Sequence, residues 1–409
     1  MGQLTLAFCF FAAVGSQMIR MGQHTLAFLV SRLRAGLDDS ACAEPSRRRM
    51  ALPCAFRTNL AAMNLTLSAM LIPLYAAASI AAAAPVPNPE VLSTSSHRPG
   101  LALRVLHQPP AQASTHPPVL FIHGSSFPSE LAFAFPMDGE SWTTVMARAG
   151  YDTWALDFLG YGHSDRYPEM QSTAPADPPG RARNVQADID HAVDLIRART
   201  GQPKVTLIAH SWGGSVAALY TQNHVEKVAA LVLFAAVTPR FPAQAAQSNA
   251  AVSTPAAEPE RITHAANDMT PAERIRLMDS LRPAGQPHAL APDVFTTWGP
   301  RWLASDPLAT ASHAPTVRFP AGPDQDIADL QSGRSYYDPA RITVPTLLVR
   351  GAWDSWPSAA DYTWLQDHLT SAPSRKMVVI PQGTHVLHLE RNRHQLYEAV
   401  LDFLSSLPR

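Results

Sequence analysis

The run Ala209-His210-Ser211-Trp212-Gly213-Gly214 sets a serine between the end of an apolar stretch, 205–209, and the start of a helical one, 215–222. Small residues two places before and two places after the serine permit a tight turn, because a larger side chain at either position would strike the neighbouring strand or helix. A serine held on such a turn can attack a carbonyl carbon. The helix start behind it offers backbone N–H groups and a positive dipole end to the oxyanion that develops. A serine hydroxyl is a poor nucleophile near neutral pH, so the chemistry also needs an imidazole within hydrogen-bond reach to take its proton. On these residues alone, a serine capping a helix stays open as the other reading.

Such a turn needs a frame. From about residue 86 onward, short apolar runs alternate with longer amphipathic stretches, the pattern of strands crossed by helices over a mainly parallel sheet. Parallel strands buried on both faces read as unbroken apolar runs. The candidates are 119–122, 153–156, 205–209, 229–237, 346–349 and 377–380, preceded by a hairpin from Val91 through Pro99-Gly100 to Leu101–Leu106. Together they make about eight strands. Val185, Ile189, Val193 and Ile196 recur at helical spacing, and Arg197, Arg199 and Gly201 supply a basic last turn and a stop. Leu396, Val400, Phe403 and Leu404 repeat the spacing near the end of the chain. One stretch, about 238–342, breaks the alternation: it is rich in Ala and Pro, holds helical fragments such as 271–281 and shows no clear long strand. It is expected to be an inserted lid of short helices.

Two more segments stand beside strands in a telling order. His123-Gly124-Ser125-Ser126 follows the run 119–122, and Asp157-Phe158-Leu159-Gly160-Tyr161-Gly162-His163-Ser164-Asp165 follows 153–156. With the serine turn, they make residues of about 90–409 resemble the α/β-hydrolase superfamily. The resemblance implies an α/β fold with a mostly parallel eight-stranded sheet flanked by helices, and a lidded serine hydrolase. It implies an oxyanion hole made by the backbone N–H groups of Ser125 and Trp212, and a structural role for the segment beginning at Asp157. A triad in this order needs an acid and then a histidine after the serine. Arg350-Gly351-Ala352-Trp353-Asp354 and Gln382-Gly383-Thr384-His385 each follow a strand candidate, at the edge where a parallel sheet presents its reactive groups. In some family members the acid follows the preceding strand, but Thr238-Pro239-Arg240-Phe241-Pro242 holds no carboxylate there. The expected triad is therefore Ser211 as nucleophile, His385 as base and Asp354 as the acid that holds the His385 tautomer, with Asp361 a weaker substitute.

The chain has sixteen histidines, and several invite confusion. His388 stands three residues after His385 and is expected to stabilise the adjoining helix start. His123 and His210 are expected to pack and hydrogen-bond, and His163 to lie in a loop. No His/Asp/Glu spacing demands a metal and no glycine loop carries a phosphate-binding lysine, so no cofactor or metal is expected.

The expected reaction is acyl transfer to water through an acyl-enzyme, on small or medium apolar esters. Dehalogenases and epoxide hydrolases of this superfamily use an elbow aspartate, since water does not release a serine alkyl ether. The segment Phe135–Trp142 with Ala147–Asp152 looks like that of lidded single-domain hydrolases. Phe295, Trp298, Trp302, Tyr336 and Tyr337 are read as core of the insertion before lining of a pocket, and Trp353 and Trp356 flank Asp354. Two alternatives are an aminopeptidase resembling proline iminopeptidase, for which Glu258, Glu260, Glu273 and Asp279 are the available carboxylates, and a C–C bond hydrolase. A non-catalytic binding protein on the same scaffold is a third.

Composition limits partners and place. With 46% hydrophobic and 16% charged residues and a net charge of −1, the 409-residue chain is neither a disordered chain nor a nucleic-acid binder driven by a basic field. A small-molecule ester or amide is the expected partner. Residues 1–84 differ in kind, with seven arginines and three acids. Arg47, Arg48, Arg49 and Arg57 precede an uncharged run, 60–84, that ends in Ala81-Ala82-Ala83-Ala84-Pro85, the form of an export signal cleaved near Ala83 or Ala84. That predicts a periplasmic or secreted enzyme of residues 85–409 with no stable membrane insertion, and an anchored one if the signal is uncleaved. About fifty residues precede the basic cluster, which makes Met50 or Met63 an alternative start. Cys9, Cys42 and Cys54 all fall in this leader, so residues 85–409 have no thiol or disulfide chemistry.

Overall fold

A computed structural model describes residues 85–239 and 261–408. The leader, its cysteines and the cleavage site at Ala83 or Ala84 lie outside the described residues, as do Glu258 and Glu260. The strands of the main sheet are β1 (Glu90–Ser95), β2 (Ala102–Gln108), β3 (Val119–Ile122), β4 (Thr153–Asp157), β5 (Val205–His210), β6 (Val228–Phe234), β9 (Thr346–Gly351) and β10 (Arg375–Ile380). Their spatial order is β1-β2-β4-β3-β5-β6-β9-β10. The first hairpin is antiparallel and β2 runs antiparallel to β4, while every pair from β4 to β10 is parallel. This is the expected mostly parallel sheet of eight strands.

The apolar runs explain the layering. Every residue of β3, β4, β5 and β9 is buried, as both faces of a parallel sheet must be when helices cover them. One of those helices, Ala182–Thr200, turns Val185, Ile189, Val193 and Ile196 inward and ends at Gly201, whose φ of 70° closes the last turn back onto the Arg197 carbonyl. Another, Arg393–Ser405, buries Leu396, Val400, Phe403 and Leu404. The apolar run 377–380 predicts a strand buried on both faces, and here the structure differs. β10 closes the sheet with one neighbour only, and Val379 is 44% exposed.

Between β6 and β9 the chain leaves the sheet. Beside its short helices this stretch holds two four-residue strands, β7 (Ala266–Met269) and β8 (Val317–Pro320), which pair as an antiparallel ribbon. β7 shows no apolar alternation and β8 only the short Val317-Arg318-Phe319, and an Arg318 fork on the Asp268 carboxylate helps join them across the ribbon. The helices used below are α1 (Trp212–Asn223), α2 (Pro271–Asp279) and α3 (Gly322–Gln331). α2 begins with a reciprocal capping box between Thr270 and Glu273 and with Pro271 at its first turn. α3 is tied to the sheet layer by Asp326, which accepts from Arg181 Nε (2.6 Å), the Ala182 N–H (2.6 Å) and Trp212 Nε1 (3.0 Å).

Candidate active site

Ser211 sits on the step from β5 to α1 with φ 57° and ψ −128°. A positive φ is costly for a residue with a Cβ, on the order of 1–3 kcal/mol, and persists only where the surroundings hold it. They do so on both sides: the Ser211 N–H donates to the Phe234 carbonyl (3.0 Å), and its own carbonyl accepts from Gly214 and Val237. Close packing explains the glycine two places on. A Cβ at Gly213 would come within 2.1 Å of the His123 carbonyl oxygen.

Two loops from neighbouring strands complete the constellation. His385 Nε2 lies 2.9 Å from Ser211 Oγ, and His385 Nδ1 lies 3.1 Å from Asp354 Oδ2. The other Asp354 oxygen accepts from the Trp356 N–H at 3.0 Å, so the buried carboxylate is gripped from its own loop and presents one oxygen to the imidazole. The loops meet through glycines, since a Cβ on Gly351 would lie 2.0 Å from the Gly383 oxygen. Trp353 N–H then donates to that oxygen at 2.8 Å. Such an arrangement can carry the hydroxyl proton to Nε2 while Nδ1–H stays on the carboxylate.

Ser125 borders the cavity beside Ser211, and its carbonyl accepts from the Tyr161 hydroxyl at 2.7 Å. Trp212 is the first residue of α1, so its N–H is among those a helix leaves without an intrahelical acceptor. Its side chain is fully buried and points to Asp326. Asp361 does not face the triad. It closes a capping box, its carboxylate accepting from the Ser358 N–H at 2.7 Å.

The neighbouring histidines have other work. His123 spans the Gly124 carbonyl (2.7 Å) and the Phe158 N–H (3.2 Å), and burial pushes it down to about 4, so it is a neutral strut. His210 Nε2 donates to the His385 carbonyl at 2.9 Å, and burial beside two other histidines holds it well below its ordinary range. His163 is an exposed turn residue. His388 departs from expectation: it stabilises no helix start. Neither ring nitrogen has a partner, the ring packs among Phe127, Phe133, Phe234 and His210, and burial pushes it down to about 3.

Two buried carboxyls brace the region. Asp157 accepts from the Ser129 N–H (2.8 Å), and burial pushes it up to about 7 against the pull of Arg104. Glu390, also pushed up to about 7 by burial, accepts from the N–H of Thr384 at 3.2 Å and from its hydroxyl, directly before His385.

The cavity in front of Ser211 has a volume of about 310 Å³. Its walls come from the Ser125–Phe127 loop, from Trp356 and from Arg274, Leu277, Met278 and Leu281 on and just after α2. Trp298, Trp302, Tyr336 and Tyr337 are buried elsewhere in the insertion and Phe295 is 42% exposed; Trp353 is half-buried off the cavity. Sequence reading missed Tyr161, Glu390 and Arg274. Tyr161 stood in a segment already marked as structural, whereas nothing local marks which face of α2 a lone arginine takes. Among the described residues, no group of three or more His, Cys, Asp or Glu is arranged to hold a metal ion, and no helix is long and apolar enough to cross a membrane.

Comparison with known proteins agrees on the frame. The family model for the alpha/beta hydrolase fold matches residues 117–392. Among solved structures, a thioesterase domain from the curacin biosynthetic pathway is 18% identical with a TM-score of 0.51, over 78% of this chain and 100% of that one. Epoxide hydrolase A from Mycobacterium thermoresistibile is 19% identical with a TM-score of 0.52, over 78% and 99%. An esterase from Exiguobacterium antarcticum is 17% identical with a TM-score of 0.50, over 78% and 100%. No protein of curated function matches the sequence. At these identities the structural likeness speaks for the fold alone, and the fold hosts several chemistries.

Proposed function

We propose that this chain, which belongs to the alpha/beta hydrolase fold family, is a serine hydrolase acting through an acyl-enzyme, and specifically a carboxylic-ester hydrolase for small or medium acyl groups. The observation that carries the reading is the line from Asp354 Oδ2 through His385 to Ser211 Oγ, with contacts of 3.1 and 2.9 Å. Ser211 Oγ attacks the ester carbonyl as its proton passes to His385 Nε2. The oxyanion is received by the Ser125 and Trp212 amides, and the alcohol leaves with the proton from His385. Water, deprotonated by the same imidazole, then attacks the acyl carbonyl and returns Ser211 with a free acid. In this reading residues 238–342 act as the lid, with α2 shaping the acyl pocket.

The alternatives fare less well on particular residues. A serine at the elbow disfavours the alkyl-enzyme route of dehalogenases and epoxide hydrolases. An aminopeptidase needs a carboxylate free to grip an ammonium; of the candidates among the described residues, Glu273 closes the α2 capping box and Asp279 is engaged by Arg282 and His288, while Glu258 and Glu260 lie outside them. A binding protein has no chemical need for the aligned Ser211, His385 and Asp354.

Nitrophenyl esters of graded acyl length test the reading, beside a proline anilide and with Ser211→Ala as control. Ester turnover lost in the variant, and a fluorophosphonate adduct on Ser211 by mass spectrometry, are expected. Preference for the anilide moves the reading to an aminopeptidase; ester turnover that survives in Ser211→Ala removes the nucleophile. We also propose export by residues 50–84, for which mass spectrometry of the secreted or periplasmic protein is expected to find a mature start at Ala84 or Pro85.

A further inference from the structure

Arg274 lines the same cavity as Ser211 and His385, and the triad has no use for it. Three other arginines with buried or half-buried side chains meet carboxylates, Arg181 with Asp326 and Asp329, Arg166 with Asp306 and Arg393 with Asp138, and the buried Arg350 donates to the Asp354 carbonyl. Among the described residues the Arg274 side chain has no ion pair and no hydrogen-bond partner, and its Nε is buried unsatisfied. Its guanidinium rests 5.2 Å from the centroid of Phe127, on the loop that follows Ser125. Burial pushes its pKa down to about 10, which still leaves it cationic at neutral pH.

Among the described residues, no carboxylate forms an ion pair with that charge. Asp324 faces it electrostatically but is held by the Asn267 side chain at 2.7 Å. Asp354, the acid on the cavity wall, has both oxygens occupied by His385 and the Trp356 N–H. His210 and His388 also feel the Arg274 charge, and burial keeps both neutral. A cation kept partly out of water without a counter-charge is costly unless something arrives to pair with it. The guanidinium fork fits a carboxylate in two parallel hydrogen bonds.

We propose that Arg274 is a substrate carboxylate anchor, and that the site takes monoesters of short dicarboxylic acids: an acyl chain apolar along its length and anionic at its far end. The proposal rests on the serine-hydrolase reading and narrows its substrate class. A cavity of about 310 Å³ suits an acyl chain of a few carbons. Met278 and Leu281 supply the apolar wall along which the chain would run.

The test compares nitrophenyl monoesters of glutaric and adipic acid with nitrophenyl pentanoate and hexanoate, corrected for spontaneous hydrolysis. The full-length protein is expected to prefer the anionic member of each pair in kcat/KM by about tenfold or more, the range of a charge-assisted hydrogen bond. Arg274→Met is expected to abolish or reverse that preference, and Arg274→Lys to keep part of it. The ratio of two esters on one protein is insensitive to the fraction folded. A wild-type preference for the neutral esters, or a ratio unmoved by Arg274→Met, overturns the anchor. Calorimetric binding of glutarate to Ser211→Ala, lost in the Ser211→Ala, Arg274→Met double variant, gives a readout without turnover. Arg274-dependent binding with no ester turnover would remove the hydrolase reading and keep the anchor. Serine-dependent turnover with no Arg274 effect would do the reverse, and silence in both assays overturns both.

Discussion

The sheet edge that carries Ser211, Asp354 and His385 and the insertion that faces it are built on different principles. At the edge, backbone hydrogen bonds and glycine contacts lock each loop, down to a serine held at φ 57°. The insertion has short elements, a ribbon of four-residue strands, and attachments made by charged side chains such as Asp326. Chemistry that tolerates little displacement is placed on the rigid part. In the proposed reading, recognition of the acyl group falls to the part that can change without disturbing the sheet.

Substitutions separate these two contributions, and the largest effect belongs to the edge. Ser211→Ala is expected to cut ester turnover by about four orders of magnitude or more with the melting temperature kept close to that of the parent. His385→Ala follows closely, whereas His388→Leu, which swaps one buried uncharged group for another, is expected to keep within about tenfold of parental kcat. The reverse ranking of the two histidines in a kcat assay would show that the proton passes through the wrong ring for this assignment. Asp326→Ala probes the attachment between the regions. It strips a buried acceptor from Arg181, Ala182 and Trp212, so a loss of about 3–5 kcal/mol in denaturant unfolding is expected, with a rise in KM as α3 loosens. Full stability in that variant would mean the insertion is held elsewhere.

The smallest effect is a pH dependence. Glu390 has a folded-state pKa raised from 4.5 to about 7, so its contribution to stability is complete below the unfolded value and is lost as pH rises through about 7. Glu390→Gln, which stays neutral, is expected to gain on the parent by up to about 1.4 kcal/mol per pH unit between about 4.5 and 7, and by no more above that. Thermal melts at pH 5 and pH 8 check it; a constant difference would mean Glu390 is charged throughout.

Legibility follows contact range. Val205–His210 and Thr346–Gly351 could be read from the chain because a strand buried on both faces must be apolar throughout. The serine turn was legible because its small residues are demanded within five positions. The ribbon of β7 and β8 was not, since Ala266-Asn267-Asp268-Met269 has no strand pattern of its own and pairs with residues about fifty positions away. His388 misled for the same reason: its neighbours in sequence suggest a helix start, while its neighbours in space are Phe127, Phe133 and Phe234.

Residue type, order and local spacing sufficed to name the fold and to nominate Ser211, Asp354 and His385, because hydrophobic periodicity and tight turns are constraints between near neighbours. Which histidine reaches the serine, which aromatics stay in the core and which arginine faces the cavity unpaired were decided only when distant segments packed. Burial, charge pairing and the direction of a side chain from a helix such as α2 are properties of surroundings assembled from across the chain.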